Sequence, residues 1–275
     1  MRRRPRLGSR AVKALLVATL AAVAGLTLAL NTVLASNDTG GGPFGGEPMP
    51  TLYPDSALTV VSRIVPVAQR RADAAARAWI VRHPVRDDAA FANYAVAAVG
   101  APPSGAAQKR ELAELHRIDA GRTATDAAVS TWLELHGKKD VWKLYLKQYR
   151  QQVAPPTGDR AKAAFKRTYA LAKTIEDAAK AKYARLSPYV VDPSLHAVNQ
   201  PRFTKKYSYP SKHAVIAFAE SALLSHLEPH RAGEFNWMAE EIAYSRLYAG
   251  GHYPSDVAAG VFLGRLIADY ELRAR

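Results

Sequence analysis

Two histidines stand close to the starts of two apolar runs. In Tyr209-Pro210-Ser211-Lys212-His213 and in His252-Tyr253-Pro254-Ser255-Asp256, an imidazole lies within a residue or two of where a helix would begin. A helix start exposes backbone N–H groups without intrahelical partners, together with the positive end of the dipole, and both suit an anion. Arg246 closes the apolar run just before the Gly250-Gly251 break. If both starts face one pocket, it gathers two imidazoles, a guanidinium, a hydroxyl and free amides, which is a set for phosphate or a similar oxyanion. Asp256 lies one helical turn past His252. It can accept from one ring nitrogen, fix the tautomer and leave the other nitrogen free to attack.

The elements that must position these groups are helical. From about residue 58 the chain reads as helices punctuated by Pro and Gly. The run "SALTVVSRIVPVAQRRADAAARAWIVR" is one helix or a pair broken at Pro66. An Ala-rich run over 88–99, then "QKRELAELHRI", "ATDAAVSTWLELHG" and "KDVWKLYLKQYRQQV", follow with apolar residues at i, i+3, i+4 spacing. A long helix is expected from about 159, with Asp159 as its N-cap, to about 186. Residues 187–209 read as irregular. Three apolar helices then start near Pro210, near Gly233 and at Pro254, where a first-turn proline belongs. No alternating run asks for a sheet and no repeat is present, so residues 58–275 read as an all-α helical bundle. The aromatics Trp132, Trp142, Tyr145 and Tyr149 fall on helical spacing and read as packing.

The start of the chain differs in character. Residues 1–13 hold five arginines and Lys13, a basic region expected to stay cytoplasmic. Residues 14–35 form an uncharged apolar stretch of about twenty residues, long enough to cross a bilayer. It serves either as a signal peptide, with Val33-Leu34-Ala35 as a small-residue cleavage site, or as an uncleaved anchor. Either way the remainder is expected on the periplasmic or extracellular side of the cytoplasmic membrane. Residues 36–57, rich in Gly and Pro, read as a flexible linker. The chain has no cysteine, which excludes a disulfide, a zinc–thiolate site and a thiol nucleophile. A net charge of +14 draws anionic partners, but no aromatic-interleaved nucleic-acid motif accompanies it.

The motif residues resemble the three-part signature of the acid phosphatase and phosphatidic acid phosphatase type 2 superfamily, nearest to the bacterial class A nonspecific acid phosphatases. The third family motif, Ser-Arg, five residues, His, three residues, Asp, is matched by Ser245-Arg246, His252 and Asp256. The second, Pro-Ser-Gly-His, is matched by Pro210-Ser211-Lys212-His213, with Tyr209 ahead of it. The first, Lys, six residues, Arg-Pro, is matched by Lys180 and Ser187-Pro188, a degraded form. The resemblance covers about residues 175–270. It implies a bundle of the class A acid phosphatase type and a metal-independent phosphomonoesterase without cofactor. It further implies His252 as the nucleophile that forms a phosphohistidine, Asp256 as its orienting partner, and His213 as the acid and base. Lys180, Ser211 and Arg246 would bind the phosphoryl oxygens.

Two departures follow from the match. Ser187 stands where the family has Arg, and losing one such donor costs on the order of 3 kcal/mol in rate. Lys212 stands where the family has Gly, and its side chain, or Arg185 or Arg202, is expected to supply the missing cation. The substrate is expected to be a small phosphorylated molecule or a lipid phosphate, with membrane contact through the N-terminal helix, no nucleic acid, and room for an oligomer. The alternatives are a weakened oxyanion-binding homologue and a vanadate-dependent haloperoxidase, a branch that shares the anion pocket. The remaining histidines (His83, His116, His136, His196, His226, His230) read as surface groups, and Glu240 and Glu241 as carboxylates on different helix faces.

Overall fold

The computed structural model describes residues 44–199 and 206–273. The expected basic start, the leader helix over 14–35 and Arg202 lie outside the described residues. The chain divides into two compact units, residues 1–49 and 50–275. Of the first, residues 44–49 contain a turn closed by the Glu47 N–H donating to the Phe44 carbonyl at 3.2 Å.

The second unit contains, among the described residues, the helices α1 (Thr59–Arg82), α2 (Asp88–Val99), α3 (Gly105–Ala120), α4 (Ala124–His136) and α5 (Asp140–Gln152), then α6 (Pro155–Tyr183), α7 (Pro188–Val191), α8 (Lys212–Leu227), α9 (Ala232–Tyr248) and α10 (Pro254–Arg273). A short 3-10 turn, Pro229–Arg231, joins α8 to α9. The only extended pairing among the described residues is an isolated bridge between Leu186 and Tyr207. None of these helices is long and apolar enough to cross a membrane.

One open alternative is decided, and two elements differ from the expectation. Pro66 lies inside one continuous α1. An interior proline costs about 3 kcal/mol, and here Val61, Ala68, Ala72, Ala76 and Trp79 are buried along the helix and offset it. Helix α6 starts at Pro155, ahead of Asp159, because prolines at the first helical positions lack an N–H that would be unpaired anyway. Asp159 sits within the helix and pairs with Arg150 at 2.8 Å. The stretch expected as linker is held from Tyr53 onward: its ring is buried, its hydroxyl donates to the Asp126 carbonyl at 3.0 Å, and its N–H donates to Glu241 Oε2 at 3.3 Å.

Helices α8, α9 and α10 form the centre, with α1 and α6 laid against α10 and α8, α4 against α9, and α5 and α2 against α6. Helices α8 and α10 are buried on nearly every side, as all-round apolar sequences require. Their approach is set by two glycines. A Cβ at Gly260 would lie 2.5 Å from Ala214 Cβ and 2.9 Å from the Ser211 carbonyl. A Cβ at Gly264 would lie 2.6 Å from the Val215 carbonyl. Backbone therefore meets backbone, and the N-termini of α8 and α10 end side by side.

Candidate active site

The two helix starts are tied together directly. The Ser211 N–H donates to the Asp256 main-chain carbonyl at 3.0 Å. Between α9 and α10 the chain turns through Gly250 at φ +71°, a conformation that favours glycine, and its N–H donates to the Leu247 carbonyl at 2.9 Å. This turn presents His252 two residues ahead of Pro254, the first residue of α10.

His252 is mostly enclosed and its Nδ1 lies 3.6 Å from Asp256 Oδ2, just beyond hydrogen-bond length. Asp256 is fully buried. Its Oδ2 accepts from the Tyr253 N–H at 2.9 Å and its Oδ1 from Arg185 Nη1 at 2.7 Å. Burial alone would raise the Asp256 carboxyl. The His252 ring and the Arg185 charge outweigh it and hold the group below the usual carboxylate range. Burial, helped by the charges of Lys180 and Arg246, lowers the His252 imidazole despite Asp256.

His213, the second residue of α8, places Nε2 3.1 Å from the Glu134 carbonyl. A carbonyl only accepts, so Nε2 carries the proton and Nδ1 is left as the lone-pair nitrogen. Burial first, then the charges of Arg246 and Lys138, hold this imidazole well below its ordinary value. Arg246 is buried, with Nε donating to Ser245 Oγ at 3.0 Å and Nη2 to the Ser130 carbonyl at 2.9 Å. Its Nη1 forms a looser ion pair, 3.6 Å from Glu134 Oε2. Ser211, the N-cap of α8, is completely buried, and its Oγ has no hydrogen-bond partner among the described residues. A buried hydroxyl in that state keeps its hydrogen-bonding capacity unused.

The cations expected on phosphate divide into two sets. Lys180 and Lys212 share one buried carboxylate, with their Nζ atoms 2.7 and 3.0 Å from the two oxygens of Glu176. Lys212 also lies 3.4 Å from Asp177. Burial opposes its charge, but Glu176 and Asp177 outweigh that and raise its ammonium. The backbone of Lys212 is not in the left-handed region, so the residue that replaces the family glycine is accommodated at the first position of α8 without strain. Arg185, by contrast, is directed away from the role expected of it. Helix α6 ends at Ala184 in a left-handed conformation, φ 45°. The next residue turns its guanidinium onto Glu111, Ser255 and Asp256, each at 2.7 Å. Ser187 is also engaged elsewhere: its hydroxyl and its N–H both donate to the Lys206 carbonyl, at 3.1 and 2.8 Å.

Sequence reasoning missed Glu111, Glu134, Glu176 and Lys138. Glu176 and Lys180 stand at i, i+4 on one helix, a signal that was present. Glu134 and Lys138 flank the α4–α5 turn and carried no motif. Burial and the Arg246 charge lower the Lys138 ammonium, and Glu134 acts against them. His136, expected at the surface, is half-buried, with its ring 4.9 Å from Trp132 and its Nδ1 3.0 Å from Asp140.

Residues 164–273, which contain every motif residue named above, match the PAP2 superfamily. Over that segment the chain is similar to the PAP2 superfamily. The chain is 33% identical over 98 residues to a non-specific acid phosphatase of Providencia stuartii, covering 32% of this chain and 40% of that protein. It is 33% identical over 107 residues to an undecaprenyl-diphosphatase of Sulfolobus acidocaldarius, covering 37% of this chain and 48% of that protein. It thus spans less than half the length of either relative. A transmembrane PAP2-type phosphatidylglycerolphosphate phosphatase from Bacillus subtilis superposes with a TM-score of 0.47 at 18% identity, over 67% of this chain and 92% of that one.

Proposed function

We propose that the chain is an exported, metal-independent phosphomonoester hydrolase that works through a phosphohistidine on His252. The observation that carries this reading is the juxtaposition at the two helix starts: His252 backed by the buried Asp256 carboxylate, with His213 at the adjoining start bonded to a main-chain carbonyl. In this reading Nε2 of His252 attacks phosphorus while Nδ1–H faces Asp256. The phosphorus–oxygen bond to the leaving group breaks, and His213 delivers a proton from Nδ1 to that oxygen. His213 takes this proton when a bound phosphate dianion offsets the charges that hold it neutral. Once the alcohol has left, the same nitrogen accepts a proton from the water that attacks the phosphohistidine and releases inorganic phosphate. Arg246 Nη1, Lys180, the Ser211 hydroxyl and the amides at the start of α8 hold the phosphoryl oxygens, as charge spread over three equatorial oxygens requires. Lys138, near Arg246, adds positive charge to the site.

A lipid phosphate is the second reading. Leu186, Val191 and Tyr207, on the segment that carries Ser187, are exposed at 41, 42 and 43%. An apolar rim of this kind suits an acyl or prenyl tail. The test is hydrolysis of para-nitrophenyl phosphate and of phosphatidate in mixed micelles by the full chain, with chelator present, from pH 4 to 8, beside His252→Ala. Turnover lost in the variant supports the phosphohistidine reading, and the ratio of the two substrates separates soluble from lipid ester. Phosphate binding without turnover in the wild type would mean a weakened homologue.

A further inference from the structure

Behind the nucleophile lies a chain of charged groups that begins outside the PAP2-matched segment. Glu111, on α3, accepts from the Ser255 N–H with Oε1 at 2.6 Å. Its Oε2 accepts from Ser255 Oγ at 3.0 Å and from Arg185 Nη2 at 2.7 Å. The same carboxylate therefore caps the start of α10 and holds Arg185. The Arg185 guanidinium lies over the Tyr253 ring, 3.7 Å from its centroid, and its other arm reaches Asp256 Oδ1 at 2.7 Å. Asp256 is thereby fixed at both oxygens, and Oδ2 is aimed at His252 Nδ1. We propose that Arg185, anchored by Glu111, is a positioning residue that locks the Asp256 carboxylate behind His252, so that residues 105–120 take part in catalysis as well as covering the bundle.

The proposal rests on the phosphohistidine reading, but its geometry also makes a prediction that needs no turnover. Asp256 of α10, Lys180 of α6, Arg246 of α9 and His213 of α8 all act on His252. Arg185, Tyr209 and Tyr253 act on Asp256 from the far side. Glu111→Gln keeps the shape of the anchor and removes one negative charge, leaving Arg185 undivided on Asp256. Asp256 then supports the His252 imidazolium less, and the His252 pKa falls. Arg185→Gln removes the positive charge, the bare carboxylate supports the imidazolium more, and the His252 pKa rises. Opposite shifts are what two opposite charges acting through one carboxylate give, and the variant that keeps the Arg185 charge but loses its fork isolates the positioning.

The experiment is a histidine NMR titration of the full chain and these two variants, with His252→Asn to assign the ring. It is joined by kcat and KM on para-nitrophenyl phosphate and by circular dichroism to confirm folding. The expected result is shifts of opposite sign, with kcat lowered roughly 10- to 100-fold in both, as for partners one shell out from a reacting group, and KM nearly unchanged. Arg185→Lys, which keeps the charge but loses the fork, is expected to lose kcat with little shift. It stands in if Arg185→Gln does not fold. A folded Glu111→Gln protein with an unmoved His252 titration overturns the proposal, whatever its turnover. A wild type that titrates as expected but never turns over overturns the hydrolase reading and leaves the positioning network standing.

Discussion

The starts of α8 and α10 look alike in the sequence, each with a proline, a serine and a histidine, yet they hold their imidazoles in opposite ways. At α10 the ring faces a buried carboxylate that is itself gripped by an arginine and a backbone amide. At α8 the ring's hydrogen bond among the described residues is to a main-chain carbonyl, and it lies near the charges of Arg246 and Lys138. A carboxylate partner stabilises an imidazolium, the charge that His252 would carry once phosphorylated. A carbonyl fixes a tautomer without stabilising charge to the same degree, which leaves His213 neutral until an anion arrives. Two similar helix starts are thus differentiated by what stands behind them, and under the proposed function that difference would let one pocket hold a nucleophile and a proton carrier together.

The comparison can be broken most sharply at the rings themselves. His252→Ala is expected to remove at least about 10⁴ of kcat with every ester, since in the proposed mechanism no other group forms the covalent intermediate. His213→Ala is expected to lower kcat about 10²- to 10⁴-fold. Its loss should be smallest with para-nitrophenyl phosphate, whose leaving group needs no proton, and largest with an alkyl phosphate. Equal losses for the two esters would remove His213 from the proton-transfer role. Steady-state kinetics on the two esters measure both.

A second way is to push the two starts apart. Gly260→Ala puts a methyl 2.5 Å from Ala214 Cβ, and Gly264→Ala puts one 2.6 Å from the Val215 carbonyl. Each is expected to cost about 1–3 kcal/mol of stability, as overpacking does, and to lower kcat beyond what the lost stability explains. Thermal unfolding beside turnover at a temperature where both variants are folded checks this.

Smaller effects sharpen the picture. Lys138→Met is expected to weaken inhibition by inorganic phosphate by about tenfold, the equivalent of roughly 1.4 kcal/mol, and Ser187→Arg in that background to restore part of it. Smallest is the pH dependence of stability. Both imidazoles are lowered in the fold, so neither contributes a loss above the unfolded histidine value near 6.5. Below it the unfolded chain takes up protons that the folded chain refuses, and stability falls toward the folded pKa values. His213→Gln is expected to flatten this acid-side decline in denaturant titrations from pH 7 to 5, more than His252→Gln does, because Asp256 opposes the lowering only at His252.

The sequence by itself determined what helical geometry fixes locally. The all-α character, the proline-led start of α10, the buried aromatics of α4 and α5, and the i, i+4 placement of Asp256 after His252 are all set by residues a few places apart. The division of Glu240 and Glu241 between faces was legible for the same reason: Glu241 is fully buried on the Tyr53 side and Glu240 meets Ser62. What only the tertiary structure decided is where the long side chains point. Arg185 reads as a phosphate ligand in sequence because it lies near the degraded motif, and Lys212 because it occupies the family glycine position. Both have flexible stems, and their charged ends went to carboxylates that other helices brought near: Glu111 from α3 and Asp256 from α10 for Arg185, Glu176 and Asp177 from α6 for Lys212. Glu134 and Lys138 entered the site because the α4–α5 turn packs on α9, where the residue nearest Gly137 is Ile242, one turn before Arg246. A backbone period is written in neighbouring residues, whereas the destination of a buried charge depends on which opposite charge the folded chain carries to it.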